Sequence, residues 1–152
     1  MAPERRSPAV ILLVEDNPAD QELIRRAMEK VAVRKELRIV GDGEEALDYL
    51  FRRGKYRAPA NSPRPDLLLL DLNLPRVNGY QVLEEIRADS KLRPMPVLVL
   101  TTSRQEKDIN RSYELGCNSF ITKPVGLDQL IGLFRDIEKY WFETAILPSK
   151  TE

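Results

Sequence analysis

The chain has 152 residues, of which 42% are hydrophobic and 32% are charged, and 24 basic side chains balance 24 acidic ones. These values are typical of one globular domain, and the neutral balance gives no general attraction to nucleic acid or to an anionic membrane. Because the sequence has no histidine, serine–histidine and cysteine–histidine catalysis, histidine-bound zinc and a phosphohistidine donor are all excluded.

The first residues and the single cysteine bear on the cellular compartment. Residues 1–8 are polar and lack the apolar stretch of a signal peptide, and we predict a disordered N-terminal segment there. The longest apolar runs, such as Leu67–Leu70, are far too short to span a bilayer. Cys117 has no partner for an intramolecular disulfide, which fits a reducing compartment. We therefore expect a cytoplasmic protein.

Five short runs of mostly apolar residues are predicted to be strands. Several are almost entirely apolar, as expected for strands that are covered on both faces of a sheet. Stretches with helical periodicity separate them, so that strand and helix alternate five times. The predicted strands are 9–14, 36–40, 66–70, 96–100 and 119–122.

Each predicted helix begins close behind a strand, and most carry a start signal. In the first, Asn17 can cap the helix and Pro18 can occupy its first position. The capping-box sequence at 103–106 is predicted to open the fourth helix, and Gly116 suits its C-terminal cap. The second, third and fifth helices are predicted to begin at the Asp42 cap, before the apolar residues Val82, Leu83 and Ile86, and near Leu127.

Two segments fall outside this alternation. The basic, proline-rich stretch 52–65 is predicted to be a long loop, which is either merely solvated or recognises a partner. The fifth helix and the following residues have more apolar side chains than one buried face needs. This segment therefore either folds back onto the domain or covers a partner. We place the domain at 9–147 and a C-terminal tail at 148–152.

Polar side chains follow four of the five predicted strands. Strand–helix alternation implies a parallel sheet with helices on both faces, and such sheets bind ligands at the carboxyl ends of their strands. We therefore expect these side chains to converge. They are Glu15 and Asp16 after the first strand, Asp71 after the third, Thr101 after the fourth and Lys123 after the fifth.

The chemistry of this set points to phosphoryl transfer. Neighbouring carboxylates repel one another unless a cation relieves the repulsion, and Mg²⁺ binds through one or two carboxylates while keeping several waters. A metal ion and a lysine can neutralise the charge that develops on a transferred phosphoryl group, and a carboxylate can accept that group as an acyl phosphate. Thr102 is an alternative to Thr101, but the spacing from Pro96 favours Thr101.

Four segments resemble the hallmark sequences of the response-regulator receiver family, in the same order and at similar spacing. They are VILLVEDNPAD, LLLLDLNLPRVNG, PVLVLTTS and FITKP. The resemblance spans roughly residues 9–142. It implies a flavodoxin-like, doubly wound α/β fold, (βα)5, whose five-stranded parallel sheet has the order 2-1-3-4-5. The stretch DGEEALDYLFRRGKY and the tail WFETAILP are similar to single-domain regulators that partner bacterial phytochrome-type histidine kinases.

The resemblance implies a phosphoacceptor and a metal site. Asp71 matches the residue that accepts the phosphoryl group. Glu15 and Asp16 match the acidic pair that holds Mg²⁺ together with Asp71, and Asn73 matches the position whose backbone carbonyl completes that site. Glu15 is a departure, because many receivers have aspartate there; the ligand arm is longer, but the charge is the same.

The resemblance also implies a switch. Thr101 matches the hydroxyl that moves to the phosphoryl group, and Phe120 matches the aromatic residue that turns inward with it. Lys123 matches the lysine that pairs with the phosphoryl oxygens, and the peptide bond between Lys123 and Pro124 is expected to be cis. Taken singly, these residues have plainer readings: Asp71 as a turn cap, Lys123 as a surface lysine and Phe120 as a core residue.

The expected function is that of a single-domain response regulator. A sensor histidine kinase would phosphorylate Asp71, the only catalysis being self-catalysed transfer and hydrolysis. A homodimer through the fourth helix, fifth strand and fifth helix, with the tail, is expected, but no nucleic acid or membrane partner. One alternative is a degenerate receiver that acts as an unphosphorylated scaffold. A haloacid-dehalogenase-type phosphatase would need a second aspartate where the chain has Asn73.

Overall fold

Five strands form one parallel sheet in the computed structural model, which describes residues 8–150. Its order is β2-β1-β3-β4-β5, so the doubly wound architecture is confirmed. The predicted strand ends are correct to within one residue. Thr101, for example, is the last residue of its strand because it pairs with Thr122. The strands are β1 Ala9–Val14, β2 Lys35–Val40, β3 Leu67–Leu70, β4 Val97–Thr101 and β5 Ser119–Thr122.

Five α-helices connect and flank the strands, and a short π-helical turn at Tyr140–Thr144 extends the last of them. Asn17 caps the first helix by accepting the backbone N–H groups of Ala19 and Asp20. Asp42 caps the second by accepting from the Glu45 N–H. Both caps lie where the sequence predicts them. The helices are α1 Pro18–Glu29, α2 Gly43–Leu50, α3 Gly79–Ala88, α4 Glu106–Glu114 and α5 Leu127–Lys139.

The predicted start of the fourth helix is wrong. Helix α4 begins at Glu106 with Gln105 at the cap position, and no side chain caps it. The Ser103 hydroxyl instead donates a hydrogen bond of 2.6 Å to the Asp108 carboxylate. The Ser103 oxygen accepts the Gln105 N–H (3.3 Å), and no side chain caps α4, so the predicted capping box is not formed. Gly116 takes up a left-handed conformation (φ 99°) just after α4, as predicted.

The apolar core has two layers, one on each face of the sheet. Successive β1 residues point to opposite faces: Ile11 and Leu13 pack with α1 and α5, whereas Leu12 and Val14 pack with α2 and α3. Helix α4 contributes little to either layer, because Ser112 is its only buried residue. Because all five strands are parallel, their carboxyl ends share one edge of the sheet.

The predicted long loop between α2 and β3 contains two short 3₁₀ turns, Gly54–Tyr56 and Pro59–Asn61. Hydrogen bonds hold this loop both to the domain and to itself. The Tyr49 hydroxyl donates to the Pro63 carbonyl oxygen (2.6 Å), and the buried Ser62 hydroxyl donates to the Tyr56 carbonyl oxygen (2.9 Å). These contacts fix the course of the loop.

The C-terminal segment folds back onto the domain. Phe142 is buried in the α1–α5 layer and Leu147 packs against the same layer. The Lys150 ammonium lies 3.2 Å from the Arg64 carbonyl oxygen and 3.4 Å from Asp66 Oδ2, beside the start of β3. Apart from Pro8, the predicted disordered segment 1–8 lies outside the described residues, as do 151–152. Between residues 8 and 150, no helix has the length and apolar character needed to cross a bilayer.

Candidate functional site

The sheet brings the predicted acidic residues together at its carboxyl edge. Carboxylate oxygens of Glu15, Asp16 and Asp71 all lie within 4.8 Å of one another. Glu15 and Asp16 follow β1 directly, and Asp71 follows the neighbouring strand β3. Within residues 8–150 this is the one group of three or more acidic or cysteine side chains close enough to share a metal ion.

Lys123 enters the same cluster from the end of β5. Its ammonium forms an ion pair with Glu15 and lies 3.5 Å from Asp71 Oδ2. The Lys123 and Glu15 side chains are only 8% and 2% exposed, so water screens this pair weakly. The Lys123 backbone N–H donates to the Thr101 carbonyl oxygen (2.6 Å), which fixes the direction of the lysine at the strand end.

Burial and charge act in opposite directions on the pKa values of this pair. Burial alone would lower the pKa of Lys123, but the hydrogen bond to Glu15 and the charges of Asp71, Glu15 and Asp20 outweigh it and raise that pKa. Burial also raises the pKa of Glu15, against the lowering effect of Lys123 and of the Asn17 N–H. Lys123 is therefore a fixed positive charge.

The Asp71 carboxylate is oriented by the backbone that follows it. Its Oδ1 accepts the Leu72 N–H at 2.7 Å and the Asn73 N–H at 3.4 Å. The Gly79 N–H closes this turn on the Leu72 carbonyl oxygen (3.0 Å), and a Cβ atom at Gly79 would lie only 2.7 Å from Leu72 Cα. Oδ1 is thus engaged with the backbone, and Oδ2 faces Lys123.

The donor set fits a hard divalent cation. All its atoms are carboxylate oxygens, two residues after β1 and one after β3, and oxygen ligands suit Mg²⁺, Mn²⁺ and Ca²⁺ rather than zinc or copper. One lysine cannot neutralise Glu15, Asp16, Asp71 and the nearby Asp20 together. The excess negative charge favours a bound cation, and Asp16, which is exposed, gives it access from solvent.

The two predicted switch residues lie on adjacent strands beside this cluster. Thr101 is fully buried, and its hydroxyl oxygen accepts the Ser103 N–H at 3.4 Å. Phe120, paired with Val99 in the β4–β5 register, is half-buried and packs against the α2–α3 layer. Phe120 is thus partly exposed on the edge strand β5.

The predicted cis peptide bond between Lys123 and Pro124 is wrong. The structure has no cis peptide bond within residues 8–150. The trans form is favoured before proline, and the trans bond here already delivers the Lys123 ammonium to Glu15 and Asp71.

Asp20 was not predicted from the sequence, yet it contacts the site. Its Oδ2 lies 3.3 Å from the Lys123 ammonium. The N-cap at Asn17 places Asp20 in the first turn of α1, which starts at this edge of the sheet. An acidic residue three positions after an N-cap is common because the helix dipole favours it, so the local pattern gives no sign of the contact with Lys123.

Comparisons with known proteins agree with this geometry. Residues 11–135 match the model of the response regulator receiver domain family. The chain belongs to this family. It is 44% identical to the response regulator Rcp1 of Synechocystis over 149 residues, 98% of this chain and 99% of that protein.

Two solved receivers are similar in structure as well. A phosphorylated cyanobacterial phytochrome response regulator, RcpA, is 48% identical with a TM-score of 0.86, covering 94% of this chain and 100% of that one. The Mn²⁺-bound form of Rcp1 is 45% identical with a TM-score of 0.84, covering 93% and 100%. These relatives support divalent-metal binding by the acidic cluster, and the family match excludes the phosphatase alternative.

Proposed function

We propose that this receiver accepts a phosphoryl group on Asp71 in a Mg²⁺-dependent reaction and passes on the signal through protein contacts. One observation carries the proposal: a lysine ammonium 3.5 Å from Asp71 Oδ2, with the Glu15 and Asp16 carboxylates gathered around the same residue. The scaffold alternative requires no such set. The phosphorylated state of RcpA supports the same chemistry.

The phosphoryl donor we propose is a phosphohistidine of a sensor kinase. Asp71 Oδ2 attacks the phosphorus atom, the P–N bond breaks with its electron pair going to the imidazole, and Asp71 becomes an aspartyl phosphate. Lys123 holds a positive charge beside the oxygens of the incoming group, and the Leu72 N–H keeps Oδ1 turned away. Glu15, Asp16, Asp71 and the Asn73 carbonyl would hold Mg²⁺, which neutralises phosphoryl charge when bound.

The switch we propose couples Thr101 to Phe120. The Thr101 hydroxyl donates to a phosphoryl oxygen only after modification, so it stabilises one of two conformations of the β4–α4 segment. Phe120 turns inward in the conformation that Thr101 favours. The changed surface is then the side made by α4, β5 and α5.

The partner kinase we propose is phytochrome-type and cytoplasmic. RcpA is named as a phytochrome response regulator and another similar structure as a bacteriophytochrome response regulator, 42% identical with a TM-score of 0.74 over 95% of this chain. Phosphotransfer from a phytochrome kinase should exceed transfer from an unrelated histidine kinase at least tenfold at equal concentrations. Equal rates would remove this part of the proposal.

A homodimer through α4, β5 and α5 stays part of the proposal. Tyr113 is half exposed and Val125, just after β5, is 92% exposed. The segment that follows α5 contributes less than expected, because Phe142 is buried in its own domain, although Ile146 is exposed. Sedimentation of the unmodified and phosphorylated protein tests this, and monomers in both states would contradict it.

Acetyl phosphate and intact-protein mass spectrometry test the central proposal. With Mg²⁺ the protein should gain one labile phosphoryl group per chain, and the gain should disappear when the metal is chelated. Asp71→Asn should abolish the adduct, whereas Asp136→Asn, which removes an exposed carboxylate on α5, should leave it unchanged. No adduct on the unaltered protein would favour the scaffold.

A further inference from the structure

Three side chains form a polar network between helices α3 and α4. The Asp108 carboxylate, in the first turn of α4, accepts hydrogen bonds from the Ser103 hydroxyl (2.6 Å) and from the Tyr80 hydroxyl (2.5 Å). Tyr80 belongs to the first turn of α3. The Arg111 guanidinium, one turn further along α4, lies 4.7 Å from the centre of the Tyr80 ring. Two successive turns of α4 therefore contact Tyr80.

This network matters because little else anchors the start of α4. Ser112 is the helix's only buried residue, and no side chain caps its N-terminus. Elements with few buried apolar contacts are those that move at low free-energy cost. The Asp108 hydrogen bonds to Ser103 and Tyr80 are therefore important contacts holding the α4 N-terminus in place.

The network also links Thr101 to the turn that follows Asp71. At one end, the Ser103 N–H donates to the Thr101 hydroxyl oxygen (3.4 Å), so that Ser103 and Thr101 are tied together. At the other end, Tyr80 follows Gly79, whose N–H binds the Leu72 carbonyl oxygen next to Asp71. A displacement of Thr101 pulls on Ser103 and hence on its hydrogen bond to Asp108.

We propose that Tyr80 and Asp108 are positioning residues that form a latch, which holds segment 102–105 in its unmodified conformation and opens when Thr101 moves to the phosphoryl group. This proposal rests on the proposed phosphorylation of Asp71. Because the latch stabilises the unmodified conformation, part of the free energy gained when Asp71 is modified is used to open it. The strength of the latch therefore sets how completely modification switches the protein.

The charge states suit a latch of this kind. Burial and the Asp108 carboxylate raise the pKa of Tyr80 to about 12, so the hydroxyl keeps its proton at neutral pH. The hydrogen bonds from Ser103 and Tyr80 lower the pKa of Asp108, so the acceptor is ionised. Hydrogen bonds to a charged acceptor are stronger than neutral ones, and two of them converge here.

The latch can be tested with beryllium fluoride, a phosphoryl mimic, added with Mg²⁺ and followed by titration calorimetry. Tyr80→Phe removes the hydrogen bond from Tyr80 to Asp108. The apparent affinity for beryllium fluoride should then increase by about threefold to tenfold, the value of one modest hydrogen bond. Labelling by acetyl phosphate should accelerate in parallel. Tyr140→Phe removes one hydroxyl from an exposed tyrosine outside the network and should change neither value.

A double-mutant cycle separates the latch from a general loss of stability. Tyr80→Phe should have little further effect, less than about twofold, in an Asp108→Ala background, since alanine offers the Tyr80 hydroxyl no acceptor and both changes then remove the same hydrogen bond. Independent, multiplying effects would contradict the proposal. If Tyr80→Phe does not fold, Ser103→Ala removes the other hydrogen bond to Asp108 and should tighten the binding of beryllium fluoride in the same way.

Two outcomes distinguish failure of the latch from failure of the proposed function. If the unaltered protein is labelled by acetyl phosphate but Tyr80→Phe binds beryllium fluoride equally well or more weakly, the latch is wrong and phosphorylation stands. If the unaltered protein is not labelled at all, the proposed function fails first. Simple destabilisation would weaken binding, so only a latch predicts the gain.

Discussion

Two buried lysines, one at each end of the sheet, pair with carboxylates in very different ways. At the start of β2, the Lys35 ammonium lies 2.9 Å from Glu138 Oε1 and donates to the carbonyl oxygens of Met28 and Val31, both at 2.9 Å. At the end of β5, the Lys123 ammonium pairs with the carboxylates of Glu15, Asp20 and Asp71.

The difference lies in charge balance and access. Glu138 is fully buried and Lys35 is 10% exposed, so one positive charge meets one negative charge, with backbone carbonyls binding the remaining ammonium protons. The cluster of Lys123 with the acidic residues at the carboxyl edge, called the upper cluster here, has more carboxylates than cations and includes the exposed Asp16. A buried lysine therefore does not by itself indicate a reactive site; the unbalanced negative charge at the strand ends does.

The largest effect on the free energy of unfolding should come from breaking the ion pair of Lys35 and Glu138, called the lower pair here. Lys35→Ala leaves the Glu138 charge buried without its partner, which typically costs about 3–5 kcal/mol in the free energy of unfolding. Urea denaturation measures this loss, and Mg²⁺ should not restore it. The double variant Lys35→Met, Glu138→Leu should recover most of it, because no charge remains buried. A loss below about 1 kcal/mol for Lys35→Ala would show that the pair is not structural.

The upper site should be more sensitive to backbone packing. Gly79→Ala places a Cβ against the backbone at Leu72, so the turn after Asp71 must shift, which costs about 1–3 kcal/mol in the free energy of unfolding and slows phosphoryl labelling. Gly132→Ala, in the middle of α5 with nothing near the added carbon, should instead stabilise the protein slightly. Thermal unfolding compares the two, and equal shifts would contradict this account.

Mg²⁺ should stabilise only the upper cluster. At ten times its dissociation constant, a ligand that binds the folded state alone adds about 1.4 kcal/mol to the free energy of unfolding. Replacing Asp16 by asparagine should remove most of that gain, since it deletes one of three converging carboxylates. Melting temperatures with and without Mg²⁺ report this. An undiminished gain in Asp16→Asn would place the metal elsewhere.

The smallest effect should be the pH response of the lower pair. Burial raises the pKa of Glu138 above its usual value of 4.5, although Lys35 opposes this. Folding stability linked to Glu138 is then fully present below pH 4.5 and is lost as the pH rises through the raised pKa. Relative to Glu138→Gln, the unaltered protein should lose stability over that interval. If the unaltered protein instead gains stability relative to Glu138→Gln as the pH rises, the pKa of Glu138 is lowered in the folded state and the prediction is wrong.

Much of the fold could be predicted because its signals are local. Alternating apolar strands, the Asn17 cap and the Asp42 cap are encoded within a few neighbouring residues. The gathering of Glu15, Asp71 and Lys123 followed from strand order alone, since parallel strands put their carboxyl ends on one edge. Local signals failed at Ser103: its hydroxyl donates to Asp108 in the first turn of α4 and accepts the Gln105 N–H, and the predicted capping box is not formed.

By itself, the sequence determined the βα alternation, the Asn17 and Asp42 caps and the identity of the polar residues at the strand ends. Tertiary structure alone decided that Asp20 meets Lys123, 103 positions away, and that Tyr80 meets Asp108, 28 positions away. It also decided that Lys35 is matched by one carboxylate and Lys123 by several. The physical reason is that strand and cap formation depend on neighbours in the chain, whereas charge balance depends on which distant side chains the packed helices bring within a few ångströms.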